Sequence, residues 1–288
     1  MKSTIRHGLP LLRFPGLADC PGLDHGIFTR QGGVSSPPFD SLNLGTAGGD
    51  RPEDVRQNRA AVTRCFNHDR LIFVKQVHGT GIRVFKKERT PDLNSADYLE
   101  GDALVSDIPG LLLGIKLADC QAVILFDPVK LVAANIHSGW RGSVANIIGK
   151  TIGVMKEEFG SQPGDIQAGI SPSLGPCCAE FVNYQQELPP ELWSYKAPAD
   201  SPAHSPADSP DDHPEHPSEH HFDFWAISRD QLTTAGVPED KIETAGICTR
   251  CRTDLFFSYR AEGRTGRFVA VAGLTPGSDP GQDNKILP

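Results

Sequence analysis

Three short segments carry side chains suited to holding a metal ion. They are Lys75-Gln76-Val77-His78-Gly79, Leu117-Ala118-Asp119-Cys120 and His137-Ser138-Gly139-Trp140-Arg141-Gly142. Two imidazoles, His78 and His137, and one thiolate, Cys120, form a zinc-type donor set with an open fourth position. Structural zinc usually takes four protein ligands, so a three-ligand site leaves room for water or substrate. Such an ion would hold Cys120 as thiolate and acidify a bound water, supplying hydroxide near neutral pH. Spacing alone does not single the trio out: 42 positions separate His78 from Cys120 and 17 separate Cys120 from His137, with no local metal-binding pattern. A histidine at a strand end is more often a hydrogen-bonded structural residue, and a cysteine in an apolar strand is usually a small hydrophobe.

Positioning falls to the elements that precede these segments. Apolar runs rich in β-branched residues predict strands over Leu71 to Val77, Ile82 to Phe85, Leu111 to Leu117, Ala122 to Phe126 and Leu131 to Ile136. Several are apolar throughout, as expected of strands covered on both faces. Further strands are expected near Ile242 to Ile247, Leu255 to Tyr259 and Phe268 to Ala272. A helix is expected from about Glu53 to Phe66, with Pro52 in its first turn. A second should follow Gly142, with Val144, Ile147, Ile148, Ile152 and Met155 as one apolar stripe. A third fits Phe224 to Ala235, ending at Gly236. Strands and helices mix without strict βαβ alternation, so the expected class is α+β: mixed β-sheets flanked by helices, in a single domain.

The three segments belong to a longer ordered series: FTRQGGVS at 28–35, SLNLG at 41–45, QVHG at 76–79, GDALV at 101–105, LADC at 117–120, HSGWRG at 137–142, GPCC at 175–178 and FFSYR at 256–260. Together these motifs closely resemble the laccase-domain purine nucleoside phosphorylase family, earlier labelled multicopper polyphenol oxidases, from about residue 24 to 274. The resemblance implies a fold similar to that of deamidating cysteine-hydrolase toxins. It also implies zinc ligands at His78, Cys120 and His137, with copper as a substitute metal. Ser138 stands where the family more often has alanine. The implied activity is phosphorolysis of adenosine and inosine to ribose 1-phosphate and free base, with methylthioadenosine phosphorolysis and adenosine deamination besides. Purine nucleosides and phosphate would be the partners. For that chemistry, Arg141 and Gly142 at a helix start would favour an anion. Arg30, in a Gly-containing turn, would offer a planar fork for phosphate. Asn43 and Asp102 would contact ribose hydroxyls or base. The competing reading for Arg30, Asn43, Asp102 and Arg141 is that they stabilise turns or pair across the cleft.

Other chemistries stay open. A copper-dependent polyphenol oxidase needs many imidazoles in close motifs; outside 197–221 there are five histidines, and no H-x-H pair occurs. A metal-independent cysteine hydrolase would use Cys120 as nucleophile and His137 as base, leaving His78 without a part. Editing of peptidoglycan precursors would use the same site on another substrate. Cys248-Thr249-Arg250-Cys251 has C-x-x-C spacing, but with no second ligand pair evident it reads as two packed thiols. Cys177-Cys178 reads as part of a Gly-Pro turn.

The chain has 288 residues, 38% of them hydrophobic, enough for a sizeable core. Its formal net charge of −8 gives no reason to expect nucleic-acid or membrane-surface binding. Six of the acidic residues lie in 197–221, which has no Lys or Arg, six prolines and five of the ten histidines. That segment reads as a disordered insertion in a surface loop, too poor in apolar residues to offset its ordering entropy. With no signal-peptide-like start, no apolar run of membrane-spanning length and an odd number of cysteines, the expected location is the cytoplasm.

Overall fold

The long apolar runs form strands buried on both faces, and the polar-faced segments between them form covering helices. The computed structural model describes residues 1–89, 99–197 and 220–277. Within these, the strands are β1 (Lys2–Arg6), β2 (Leu9–Arg13), β3 (Leu23–Phe28), β4 (Arg70–Ile72), β5 (Ile82–Phe85), β6 (Ala103–Ser106), β7 (Leu111–Leu117), β8 (Gln121–Asp127), β9 (Val132–Ser138), β10 (Gln167–Ile170), β11 (Ile242–Thr244) and β12 (Phe268–Leu274). The helices are α1 (Pro15–Ala18), α2 (Pro52–Arg64), α3 (Trp140–Val144), α4 (Ile147–Phe159), α5 (Tyr184–Glu187), α6 (Phe224–Thr234) and α7 (Tyr259–Glu262).

The strands make two mixed six-stranded sheets, ordered β1-β2-β3-β12-β7-β4 and β11-β10-β8-β9-β6-β5. Alternation along the central strands sorts their side chains into layers. Leu113, Ile115 and Leu117 of β7 and Ala270 and Ala272 of β12 meet Ile124 and Phe126 of β8 in a core between the sheets. Val123 and Leu125, on the other face of β8, pack with Ile148, Ile152 and Met155 of α4 and Leu232 of α6. Leu112, Val269 and Val271 face Val62 of α2. The molecule is therefore a helix–sheet–sheet–helix stack, the α+β domain of mixed sheets and flanking helices that the sequence suggests. Asn135 on β9 crosses the central layer, its Nδ2 donating to Leu113 O and Ala270 O, both at 2.9 Å.

Several elements depart from expectation. The strand expected over Leu71 to Val77 ends at Ile72, and the next ladder contact is an isolated bridge from Lys75 to Glu100. The helix expected after Gly142 begins earlier and is broken. α3 starts at Trp140, and Asn146 adopts a left-handed φ of 52° while its side chain caps Gly149 N at the start of α4. Val144 lies before that break and is exposed, so it is no part of the apolar stripe. Leu255 to Tyr259 is not a strand but leads from a turn into α7: the Leu255 and Phe256 amides both donate to Arg252 O, while Phe256 and Phe257 are buried in the central core. The insertion read at 197–221 lies, for residues 198–219, outside the described residues. Its two ends are adjacent, with Ala197 N donating to His221 O at 2.9 Å and Lys196 bridging Phe222.

Candidate active site

His78, Cys120 and His137 converge at one end of the two sheets, the first two on connections and the third at the end of β9. His78 follows the segment that peels away from β4, and its backbone is left-handed, with φ 59°. Such a conformation costs a non-glycine residue on the order of 1–3 kcal/mol unless its surroundings fix it. Asp102, fully buried just before β6, does so. Its carboxylate accepts from the backbone N–H groups of Val77, His78 and Gly79 at 3.3, 2.9 and 2.7 Å.

Cys120 lies in the turn where the chain passes from β7 in one sheet to β8 in the other. The residue before it, Asp119, has φ 88° and is secured in the same manner. Its carboxylate accepts from Thr249 Oγ1, Ser258 Oγ and Arg260 N at 2.8, 2.7 and 2.6 Å. His137 is the penultimate residue of β9, and its Nδ1 lies 2.8 Å from Asp102 Oδ1. With Nδ1 donating to a carboxylate, Nε2 is left as a ligand atom, an arrangement common behind metal-bound histidines.

One ligand atom from each of the three residues falls within 4.8 Å of the others, and Cys120 Sγ stands 3.9 Å from His78 Nε2. Around a tetrahedral zinc such atoms would be about 3.5 Å apart, so the residues present fit one ion with small adjustments. Gly139 closes the group. A Cβ there would lie 2.9 Å from His78 Cδ2 and 3.2 Å from Cys120 Sγ, so a side chain would push the ligands apart.

Without an ion, Cys120 and His137 form a thiolate–imidazolium pair, and a bound metal would take the place of the His137 Nε2 proton. Burial pushes the Cys120 thiol up, yet His137 and then His78 outweigh it and bring the thiol down to about 6. Burial pushes the His137 imidazolium down, but Cys120 and Asp102 hold it up at about 9. For Asp102, burial acts upward and is outweighed by the donors from His137, Gly79 and His78, which hold the carboxyl below its usual range.

The trio forms the floor of a cleft of about 750 Å³. Trp140, Phe181, Phe224 and Tyr259 contribute aromatic surface to its walls. Lys75, Lys116, Arg260 and Arg267 contribute positive charge. An open donor set, flat apolar walls and cationic groups suit an aromatic ligand together with an anion.

The other residues picked out from the sequence are placed differently. Asn43 reaches the cleft wall, but both ends of its amide serve the backbone: Oδ1 accepts from Gly45 N and Arg267 N, and Nδ2 donates to Gly45 O and Asp50. Asp102, expected against substrate, lies behind the ligands with both oxygens taken by the His78 turn and His137. Arg30 is outside the cleft lining. Its guanidinium donates to Asp40 O, Thr253 O and Glu262 and stacks 4.4 Å from the Phe257 ring centroid. Arg141 lies over the Trp140 ring, 4.3 Å from its centroid, and Gly142 is buried; neither lines the cleft. Lys116, Arg260, Arg267 and the aromatic walls were not anticipated. Tyr259 and Arg260 lie in the FFSYR motif, which carried a signal without a role; nothing in the sequence singled out Phe181, Phe224 or Arg267. The reading of Cys248 and Cys251 as lacking a second pair is also corrected, because Cys177 and Cys178 meet them.

Residues 24–275 match the family described as multi-copper polyphenol oxidoreductase laccase. The chain is similar to the purine nucleoside phosphorylase YlmD of Geobacillus stearothermophilus, with 34% identity over 86% of this chain and 89% of that one. It is similar to a purine nucleoside phosphorylase of Deinococcus radiodurans, with 34% identity over 93% and 94%. Among solved structures, YlmD from Geobacillus stearothermophilus superposes with a TM-score of 0.75 and 31% identity, covering 93% of this chain and 96% of that one.

Proposed function

The chain belongs to the multi-copper polyphenol oxidoreductase laccase family, and on that premise we propose that it is a metal-dependent purine nucleoside phosphorylase, with zinc at His78, Cys120 and His137. The observation that carries this reading is the convergence of an open three-ligand donor set with aromatic and cationic cleft walls. Relatives named purine nucleoside phosphorylases support it.

A zinc ion held by the trio supplies Lewis acidity at an open coordination position. The residues of the chain do the rest. Trp140, Phe181, Phe224 and Tyr259 offer faces for a purine, excluding water around the base. Lys116, Arg260 and Arg267 bring positive charge to the walls, favouring the phosphate that attacks ribose C1′ as the bond to the purine nitrogen breaks. Asp102 orients His137 and fixes the turn carrying His78, so the donor set is held before substrate arrives. Adenosine deamination, in which water replaces the amino group on the purine ring, fits the same cleft and site.

Copper oxidation as the main activity is less well supported. Among the described residues, the trio is the one histidine-containing cluster of potential ligands, whereas multicopper centres need more. A metal-independent hydrolase has one observation in its favour, the Cys120 thiol lowered to about 6 beside His137.

One experiment separates these readings: incubation with adenosine or inosine, with and without phosphate, following ribose 1-phosphate and ammonia. Phosphate-dependent ribose 1-phosphate that disappears with a chelator and returns with zinc is expected. Cys120→Ala should lose one equivalent of zinc, and kcat/KM should fall by more than the roughly 10–100-fold that loss of an outer partner costs. Full activity in that variant, or activity indifferent to chelator, would overturn the metal reading; absence of ribose 1-phosphate from zinc-loaded protein would overturn the nucleoside reading.

A further inference from the structure

Four of the seven cysteines meet outside the cleft lining. Cys177 and Cys178 come from the turn after Gly175-Pro176, and Cys248 and Cys251 from a turn some seventy residues later. All four are buried, and their sulfurs lie within 4.8 Å of one another. Cys251 Sγ stands 3.6 Å from Cys177 Sγ and 3.7 Å from Cys178 Sγ.

Those spacings are informative. With Zn–S bonds of about 2.3 Å, tetrahedral thiolates sit about 3.8 Å apart. Bridging sulfides between two or more irons would spread the cysteine sulfurs further, so the cluster suits one mononuclear ion. The backbone is drawn in to make this possible. Ser173 bridges Cys248 in parallel, with Ser173 N donating to Ile247 O and Thr249 N to Ser173 O. Gly175 has no room for a side chain: a Cβ there would lie 2.8 Å from Trp225 Cη2 and 3.1 Å from Cys248 Cβ. The Trp225 indole, held by a 2.7 Å bond to Ser173 Oγ, covers that side.

We propose that Cys177, Cys178, Cys248 and Cys251 bind a second, structural zinc ion. Four thiolates and no open position make a closed site, unlike the three-ligand set in the cleft. The ion would lace together the two loops that hold Asp119. Leu174, from the first, donates its N–H to Asp119 O at 2.8 Å; Thr249, from the second, donates Oγ1 to Asp119 Oδ1. Asp119 precedes Cys120, so the second ion secures the turn that presents a ligand to the first. The first loop also supplies Ser173 and Leu174 to the cleft wall, and the second leads into α7, which supplies Tyr259 and Arg260.

The test uses full-length Cys120→Ala, in which the cleft site is disabled, so the result does not depend on the nucleoside reading. Metal analysis of this variant after purification should give one equivalent of zinc per chain. Replacing that zinc with Co2+ should give the intense thiolate-to-cobalt charge transfer and visible bands of a tetrahedral four-thiolate centre. Adding Cys248→Ser and Cys251→Ser should abolish both; if that chain does not fold, the cobalt spectrum of Cys120→Ala decides. A Cys120→Ala chain that is metal-free and takes up no cobalt overturns the proposal. So does a disulfide among the four cysteines in protein purified without reductant, detected by mass spectrometry.

Discussion

Asp102 is the residue on which the candidate site most depends, although it is no ligand. A single carboxylate accepts three consecutive backbone amides around His78 and the Nδ1 proton of His137. Removing its charge weakens every one of those bonds, since charge-assisted bonds are roughly twice as strong as neutral ones. Asp102→Asn should therefore lower metal affinity by about 10–100-fold, with a parallel loss of kcat/KM that excess zinc partly restores. Competition for the metal against chelators of graded strength measures this; wild-type affinity in the variant would remove Asp102 from its positioning role. Residue identity alone did not reveal that role. A carboxylate in a Gly-Asp turn reads equally as a substrate contact, and only folding shows three amides aimed at it. For Arg30 the geometry matches the competing reading from the sequence: Glu262, two carbonyls and the Phe257 ring occupy its guanidinium. His78, Cys120 and His137 were legible because their motifs fix both residue type and order.

At the scale of elements, β7, β8, β9 and β12 were legible because each is apolar on both faces, a pattern that follows from lying inside the stack. β1, β2 and β3 were not, because short strands interrupted by charge, such as LDHGIF at 23–28, carry no clear period. That last strand holds a titratable group with a measurable consequence. His25 is fully buried, with Nε2 accepting the Phe14 amide at 3.0 Å at the start of α1. Burial first, and Arg13 next, push its pKa from 6.5 down to about 3. The folded protein thus keeps His25 neutral where the unfolded chain protonates it. Its contribution to stability is whole above about pH 6.5 and is lost progressively as pH falls towards 3. At pH 5 the loss is about 2 kcal/mol. His25→Gln keeps an acceptor for the Phe14 amide and does not titrate. Urea denaturation at pH 7 and pH 5 should show the variant losing about 2 kcal/mol less than the wild type over that interval. Equal losses would mean that His25 is protonated in the folded state.

Over the whole molecule, the clearest irregularity in the sequence, the proline- and acid-rich run, is attached where the fold can accommodate it. The chain leaves at Ala197 and returns at His220, and Ala197, His221 and Phe222 are already paired there with each other's neighbours. Phe222 is fully buried against Phe181, one of the cleft-wall residues, so the base of the excursion is tied to the wall. Among the described residues, Phe181, Tyr184 and Phe222 pack together at this wall. Replacing residues 198–219 with Asn-Gly, which suits a two-residue antiparallel connection, should leave kcat/KM for adenosine within about twofold, because the pairing of Ala197 with His221 and of Lys196 with Phe222 is retained. On the sequence reading of this segment as disordered, two residues in place of 22 lower the entropic cost of loop closure by about 2 kcal/mol, so the thermal midpoint should rise. Six acidic residues and no Lys or Arg are removed, taking the formal net charge from −8 to −2, and the protein should elute earlier from an anion exchanger. A tenfold fall in kcat/KM with a cooperative melt preserved would instead place residues 198–219 in substrate binding, and a lowered midpoint would make them part of the folded core.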